Sequence, residues 1–251
     1  MKAMEKVKLA RGTKRATGAG FIENIFTDFC QMHGDRKFAD DKAIIGGIAL
    51  LENTPVTVIA IEKGTATKER ISRNFGSSHP EGYRKALRLM KQAEKFGRPV
   101  ICFIDTAGAF CGIGAEERGQ GQAIAENLME MMALKTPVIS VLIGEGGSGG
   151  ALALGVANRV YMLENAVYSV ISPEGCASIL YKDAEKADLA AQHLKLTAQD
   201  LLELGVIEQI IPETPGMYDR IKKMLVEEFG KLAAITGEQA AAERYAKFRG
   251  I

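Results

Sequence analysis

The sequence predicts an α/β protein with parallel strand pairing, on three observations. From residue 82 onward, apolar runs of strand length alternate with segments of helical period, the order expected of parallel strands joined by crossover helices. Two of those runs, PVICFI (99–104) and PVISVLI (137–143), pass directly into glycine-rich turns. No stretch rich in Pro, Gly and Ser divides the chain, so its 251 residues read as one domain with a helical C-terminal part.

Residues 1–20 are basic and weakly patterned, which predicts a loose N-terminal arm ahead of a domain over 21–251. FIENIFTDFCQMH (21–33) repeats apolar residues at helical spacing and predicts a helix ended by GDRKFADD. Ala43–Leu51 and Pro55–Ile61 are β-branched runs separated by ENT, a hairpin or a pair of adjacent strands. EKGTATKERISRNFGSSHPEG (62–82) is polar, basic and without apolar period. It reads as a long loop, and loops of that length in compact domains are functional or disordered. Helix 82–96, strand 99–104, the turn DTAGAFCGIG and helix 115–134 come next. Strand 137–143 leads into the turn GEGGSGG and a short helix near 149–157, followed by strands 159–163 and 167–171. The helical region 176–251 holds segments 176–182, 184–194, 197–204, 216–233 and 237–248, with a short strand near Val206–Ile211.

Apolar content of 47% and charged content of 25% are those of a soluble globular chain able to build a core without metal or disulfide. A net charge of +1 gives no bulk attraction to nucleic acid or membrane, so any anion is bound by local arrangement. Cys30, Cys102, Cys111 and Cys176 form no C-x-x-C pair, which argues against a metal site or a disulfide framework. Reduced thiols, no signal-like apolar core and no apolar run of about 20 residues predict a cytoplasmic protein.

Gly144, Gly146 and Gly149 match the G-x-G-x-x-G dinucleotide fingerprint, with Glu164 about 20 residues on. The match fails in its context. Too few residues separate Gly149 from the strand at 159 for a crossover helix, and the turn follows four strands instead of opening the fold. A second glycine turn at the end of the preceding strand suggests another use. Two such turns lie side by side, and glycine leaves backbone N–H groups free to point into a cavity. Donors from neighbouring turns make an oxyanion hole, each contributing about 3–4 kcal/mol to a developing oxyanion. The same glycines also permit close packing of helix on strand.

The segments GDRKFADDKAIIGGIA, RNFGSSHPEGYRKALRLMKQAEKF, FIDTAGAFCGIGAEERGQ, IGEGGSGGALALG and VYSVISPEGCASILYKDAEKA resemble the α subunits of bacterial acetyl-CoA carboxylase carboxyltransferase, over roughly residues 20–212. The resemblance implies a crotonase/Clp-like spiral of ββα units. It also implies transfer of a carboxyl group from carboxybiotin to acetyl-CoA, giving malonyl-CoA, the first committed step of fatty acid biosynthesis. Biotin would arrive on a biotin carboxyl carrier protein, not attached to this chain. The implied partner is a zinc-containing β subunit in an α2β2 heterotetramer, within a larger complex that includes biotin carboxylase and its ATP site. No nucleic acid, membrane or metal in this chain is implied.

Carried onto these residues, the Gly149 and Gly150 N–H groups become the hole for the biotin ureido oxygen. Gly146, Gly147 and Ser148 shape that turn, and Gly112 and Ile113 on the first turn support it. Lys63, Lys68, Arg70, Arg73 and Arg84 are candidate cations for the carboxyl group or CoA phosphates. The chain departs from the pattern at DTAGAFCG, where DTPGAYPG is common, at Tyr181, where tryptophan is common, and at PETPGMYD (212–219). A serine peptidase built on Ser148 would need a histidine in reach, and the three available (His33, His79, His193) have simpler places. A stand-alone acyl-CoA hydratase or isomerase would rest on Glu116, Glu117 or Glu145. A scaffold subunit would expose an apolar face, for which Phe21, Ile25, Phe26 and Phe29 are candidates.

Overall fold

The computed structural model describes residues 1–250. Helices α1 (Ala3–Ala10) and α2 (Gly18–Ile25) open the chain, followed by β1 (Thr27–Gln31) and the hairpin β2 (Ile44–Leu51) and β3 (Thr54–Ile61). Next come α3 (Thr67–Ser72), α4 (Pro80–Lys95), β4 (Val100–Thr106), α5 (Ile113–Glu117), α6 (Gln120–Ala133) and β5 (Val138–Gly147). The short α7 (Ser148–Leu152), β6 (Arg159–Leu163) and β7 (Val167–Ser169) complete the central part. The C-terminal part holds α8 (Pro173–Tyr181), α9 (Ala187–His193), α10 (Ala198–Glu203), β8 (Gln209–Ile211), α11 (Met217–Leu232) and α12 (Gly237–Arg249).

All strands join one eight-stranded sheet in the order β1-β2-β3-β4-β5-β6-β8, with β7 paired to the end of β5. β1, β2 and β3 pair antiparallel and the rest parallel, as the alternation with helices predicts. β4 is buried at every position, the continuous apolar run expected of a parallel strand covered on both faces. α4 packs on β2, β3 and α6, and α12 closes over α6. The fully buried Arg244 of α12 donates to the carbonyls of Leu134 (3.0 Å) and Thr136 (2.9 Å) and to Asn158 Oδ1 (2.6 Å), tying the C-terminal helix to the loop before β5.

Three expectations need correction. The helix expected over 21–33 ends at Ile25, and 27–31 becomes an edge strand on β2. Helical spacing of Phe21, Ile22, Ile25, Phe26 and Phe29 fits either outcome; tertiary pairing chooses. A Cβ on Gly47 of β2 would overlap the Cys30 carbonyl, so the bare backbone there lets β1 approach. The arm expected over 1–20 is docked through α1. Val7 and Ala10 are buried among Val167, Ala191 and Leu196, and Lys6 Nζ donates to Asn165 Oδ1 at 2.6 Å. The loop of 62–82 contains α3, a single 3-10 turn at Asn74–Gly76 and the start of α4, whose Pro80 fits the first helical turn because no N–H is needed there.

Candidate active site

β4 and β5 run parallel and in register from Val100↔Val138 to Thr106↔Gly146, so the turns at their carboxyl ends emerge together. That end of an open parallel sheet is where ligands bind. Contact between the turns is set by glycines spaced three apart. A Cβ on Gly144 would overlap the Asp105 carboxylate, and one on Gly147 would overlap the Ala107 carbonyl. One on Gly150 would stand 2.5 Å from Ala109 N and 2.8 Å from Gly108 C. No side chain fits such gaps, so residues 105–109 lie flush against 144–150. The spacing that matters is therefore 144–147–150, not the fingerprint's 144–146–149. Gly146 faces the other way, where its Cβ would meet Tyr168 of β7 at 2.8 Å.

Between these glycines Ser148 stands exposed at φ +49°, a conformation costing a non-glycine residue about 1–3 kcal/mol. Past it, the Gly149 and Gly150 N–H groups donate to no acceptor among the described residues, and neither does Ala109 N–H across the seam. The first two belong to the opening turn of α7, whose N–H groups have no intrahelical acceptor. Ser148 and Gly149 also line one part of an apolar cavity of about 430 Å³, bounded by Leu152, Tyr168, Val170 and Leu201 and including Lys195. Unpaired donors beside an apolar pocket suit a carbonyl or oxyanion carried on an apolar frame.

Beneath the seam lies an ionic network. Asp105 Oδ1 accepts the Glu145 N–H at 2.8 Å and Lys63 Nζ at 2.6 Å. Lys63 also approaches Glu145 Oε2 at 3.4 Å, and Arg11, the residue capping α1, joins Glu145 (2.7 Å) to Glu174 of α8 (2.7 Å). Burial pushes the Asp105 carboxyl above its ordinary range, against the opposing pull of Lys63. Strand ends β3, β4 and β5 are thus cross-linked by charge directly under the two turns.

The candidate residues separate accordingly. Gly149, Gly150, Gly146, Gly147 and Ser148 share one turn. The first turn meets them through Ala107, Gly108 and Ala109. Gly112 folds instead against the ring of Phe110, and Ile113 is 80% exposed at the start of α5. Among the cations, Lys63 is committed to Asp105, Arg73 to Glu69 (3.0 Å) and Arg84 to Asp35 (2.7 Å). Arg70 stacks 5.6 Å over Phe75, while Lys68 is exposed and has no carboxylate partner among the described residues. No imidazole hydrogen-bonds Ser148. His79 points Nδ1 at Asp41 (3.3 Å) and stacks on Phe110, and His193 bonds Tyr181. Glu145 is bound by two cations, and Phe21, Ile25 and Phe26 are core residues. Among the described residues no group of His, Cys, Asp or Glu converges to hold a metal ion, and no helix is long and apolar enough to cross a membrane.

Asp105, Arg11 and Ala109 were not singled out from the sequence. The D of FIDTAGAF, at the junction of an apolar strand and a glycine turn, was the signal available for Asp105. Nothing local marks Arg11, whose partners lie more than a hundred residues away.

The fold is an open, mostly parallel α/β sheet with a glycine-turn seam at the carboxyl ends of its central strands. Solved structures share that fold. The transcarboxylase 12S core superposes with a TM-score of 0.76 at 18% identity, over 90% of this chain and 43% of that one. The β subunit of Pseudomonas aeruginosa geranyl-CoA carboxylase gives 0.72 at 16%, over 96% and 46%. A Pseudomonas malonate decarboxylase hetero-dimer gives 0.66 at 21%, over 84% and 89%. The sequence profile described as acetyl co-enzyme A carboxylase carboxyltransferase-like matches residues 1–251, and the chain belongs to that family. Two relatives named acetyl-coenzyme A carboxylase carboxyl transferase subunit alpha are similar over nearly their whole length. The one from Ruminiclostridium cellulolyticum is 59% identical over 100% of this chain and 98% of its own, and one from Clostridium perfringens is 60% identical over 99% and 95%.

Proposed function

We propose that this chain is the carboxybiotin-holding subunit of a two-subunit acetyl-CoA carboxyltransferase. The observation that carries the reading is the set of unpaired N–H donors of Gly149, Gly150 and Ala109, gathered where two glycine turns meet beside an apolar cavity. A neutral ureido group on an apolar bicyclic ring fits that combination: an oxygen to accept hydrogen bonds and a ring to fill apolar space. When bound, biotin supplies the nitrogen that carries the carboxyl group and that can take up a proton. Gly149 and Gly150 hold the oxygen on which negative charge grows, with Ala109 N–H directed from the facing turn. Donors fixed by a rigid seam need no reorganisation as the charge appears, which is the basis of their effect. Lys68 and Arg70 provide positive charge for the acidic groups of the CoA substrate.

The acyl-CoA face of the site belongs, on this reading, to a β subunit of the same fold, and biotin comes on a separate carrier protein. An α2β2 assembly in the cytoplasm, serving fatty acid synthesis, completes the proposal. The test is the reverse reaction: malonyl-CoA with free biocytin, followed as acetyl-CoA release, by this chain alone and with a purified β subunit. Turnover only in the mixture supports the reading. No turnover from a mixture shown to assemble rejects it, and enoyl-CoA substrates are then assayed.

A further inference from the structure

Tyr83 lies on the first inward turn of α4, fully buried, and its hydroxyl has no hydrogen-bond partner among the described residues. Among the neighbouring side chains Gln120 Oε1 is also buried without a partner, whereas its amide nitrogen is bonded. The Ser78 carbonyl, two residues ahead of α4, accepts Phe110 N–H (3.0 Å) and Gln120 Nε2 (2.8 Å), which fastens the start of that helix to the first glycine turn. The Tyr83 oxygen stands 2.9 Å from the point that a Cβ on Gly150 would occupy, and Ala109 N lies 2.5 Å from that same point. The Tyr83 oxygen thus packs beside Gly150 on the face of the turn that meets Ala109.

We propose that the Tyr83 hydroxyl is a further donor to the anion held at the Gly149–Gly150 turn, making its hydrogen bond when that anion is bound. The inference rests on the carboxyltransferase reading and adds a side chain to a site otherwise built from backbone. Phenylalanine would fill the same volume without burying an unpaired oxygen, so the hydroxyl is a cost to the folded chain that a role in the site explains. Burial, with the nearby charge of Asp41, pushes the phenol above its ordinary pKa, so it keeps the proton it donates. Gly150 has a second requirement here: any side chain would displace either Tyr83 or Ala109.

Tyr83→Phe, assembled with the β subunit, tests this in the malonyl-CoA and biocytin assay, with Tm measured on the same samples. The expected result is a kcat lowered at least about tenfold, KM for both substrates within about twofold, and a Tm equal to or above that of the wild type. A kcat within about twofold of wild type overturns the proposal. So does a kcat that falls only together with Tm, because the hydroxyl then serves the fold. An inactive wild-type assembly rejects the carboxyltransferase reading and this donor with it, whereas an active wild type with an equally active Tyr83→Phe rejects the donor alone.

Discussion

Lys63 Nζ lies 2.6 Å from Asp105 Oδ1, the same oxygen that accepts the Glu145 N–H at 2.8 Å. One carboxylate thus joins the ends of β3, β4 and β5 at the base of both glycine turns. Removing the cation leaves a buried charge without its partner, a change that costs about 3–5 kcal/mol. Lys63→Met is predicted to lower unfolding free energy by that amount in urea denaturation, and Lys63→Met with Asp105→Asn to recover at least half. Equal stability of wild type and Lys63→Met would show that the pair does not bind the strand ends together.

The two glycines of the donor turn are predicted to differ sharply on substitution. A Cβ on Gly149 meets only Ile124, at 3.4 Å, whereas one on Gly150 meets Ala109 N at 2.5 Å. Gly149→Ala should retain activity within about threefold, and Gly150→Ala should lose about 100-fold or more by displacing the facing turn. Assays on assembled complexes decide this. Comparable losses at the two positions would contradict the seam geometry.

Cations of the 62–84 segment should divide by their partners. Arg84→Ala strips the buried Asp35 of its ion pair and is expected to cost about 3 kcal/mol of stability. Arg73→Ala breaks a partly exposed pair and should cost less than about 1 kcal/mol. Lys68→Ala and Arg70→Ala should leave Tm unchanged and raise KM for malonyl-CoA several-fold at low ionic strength, with the difference shrinking in salt. If KM is unmoved, the charge for the CoA phosphates comes from elsewhere.

Asp40 governs part of the acid stability. Burial alone would raise its carboxyl, but the Lys85 ammonium at 2.5 Å, with the Gly34 N–H and His33, holds it at about 2 against the ordinary 3.8. With the folded value depressed, the unfolded chain binds more protons between those limits. The contribution is therefore complete above about pH 4 and is lost as pH falls toward 2. Asp40→Asn should flatten the slope of unfolding free energy over that window. An identical slope in the variant would assign the acid sensitivity to other carboxylates.

Much of the central fold was legible because each feature has a local cause. β-branched runs bounded by ENT gave the hairpin, and apolar runs ending in glycine gave β4 and β5. Legibility failed where pattern was shared or absent. The period of 21–33 suits helix and edge strand alike, and pairing with β2, which the bare Gly47 backbone permits, decides between them. Helix α1 shows two buried apolar residues and depends on Lys6 and Arg11 reaching partners far along the chain.

By itself the sequence determined that two glycine-rich turns follow adjacent parallel strands, and its motifs carried the family resemblance. Turn chemistry and strand alternation act over a few residues, so they are written locally. Which glycines make the seam, which N–H groups remain without acceptors, and which cations are already spent on carboxylates were decided only by the tertiary structure. Those outcomes depend on contacts among β3, β4, β5, α1 and α4. Ion pairs and close backbone approaches between such segments have no periodicity along the chain.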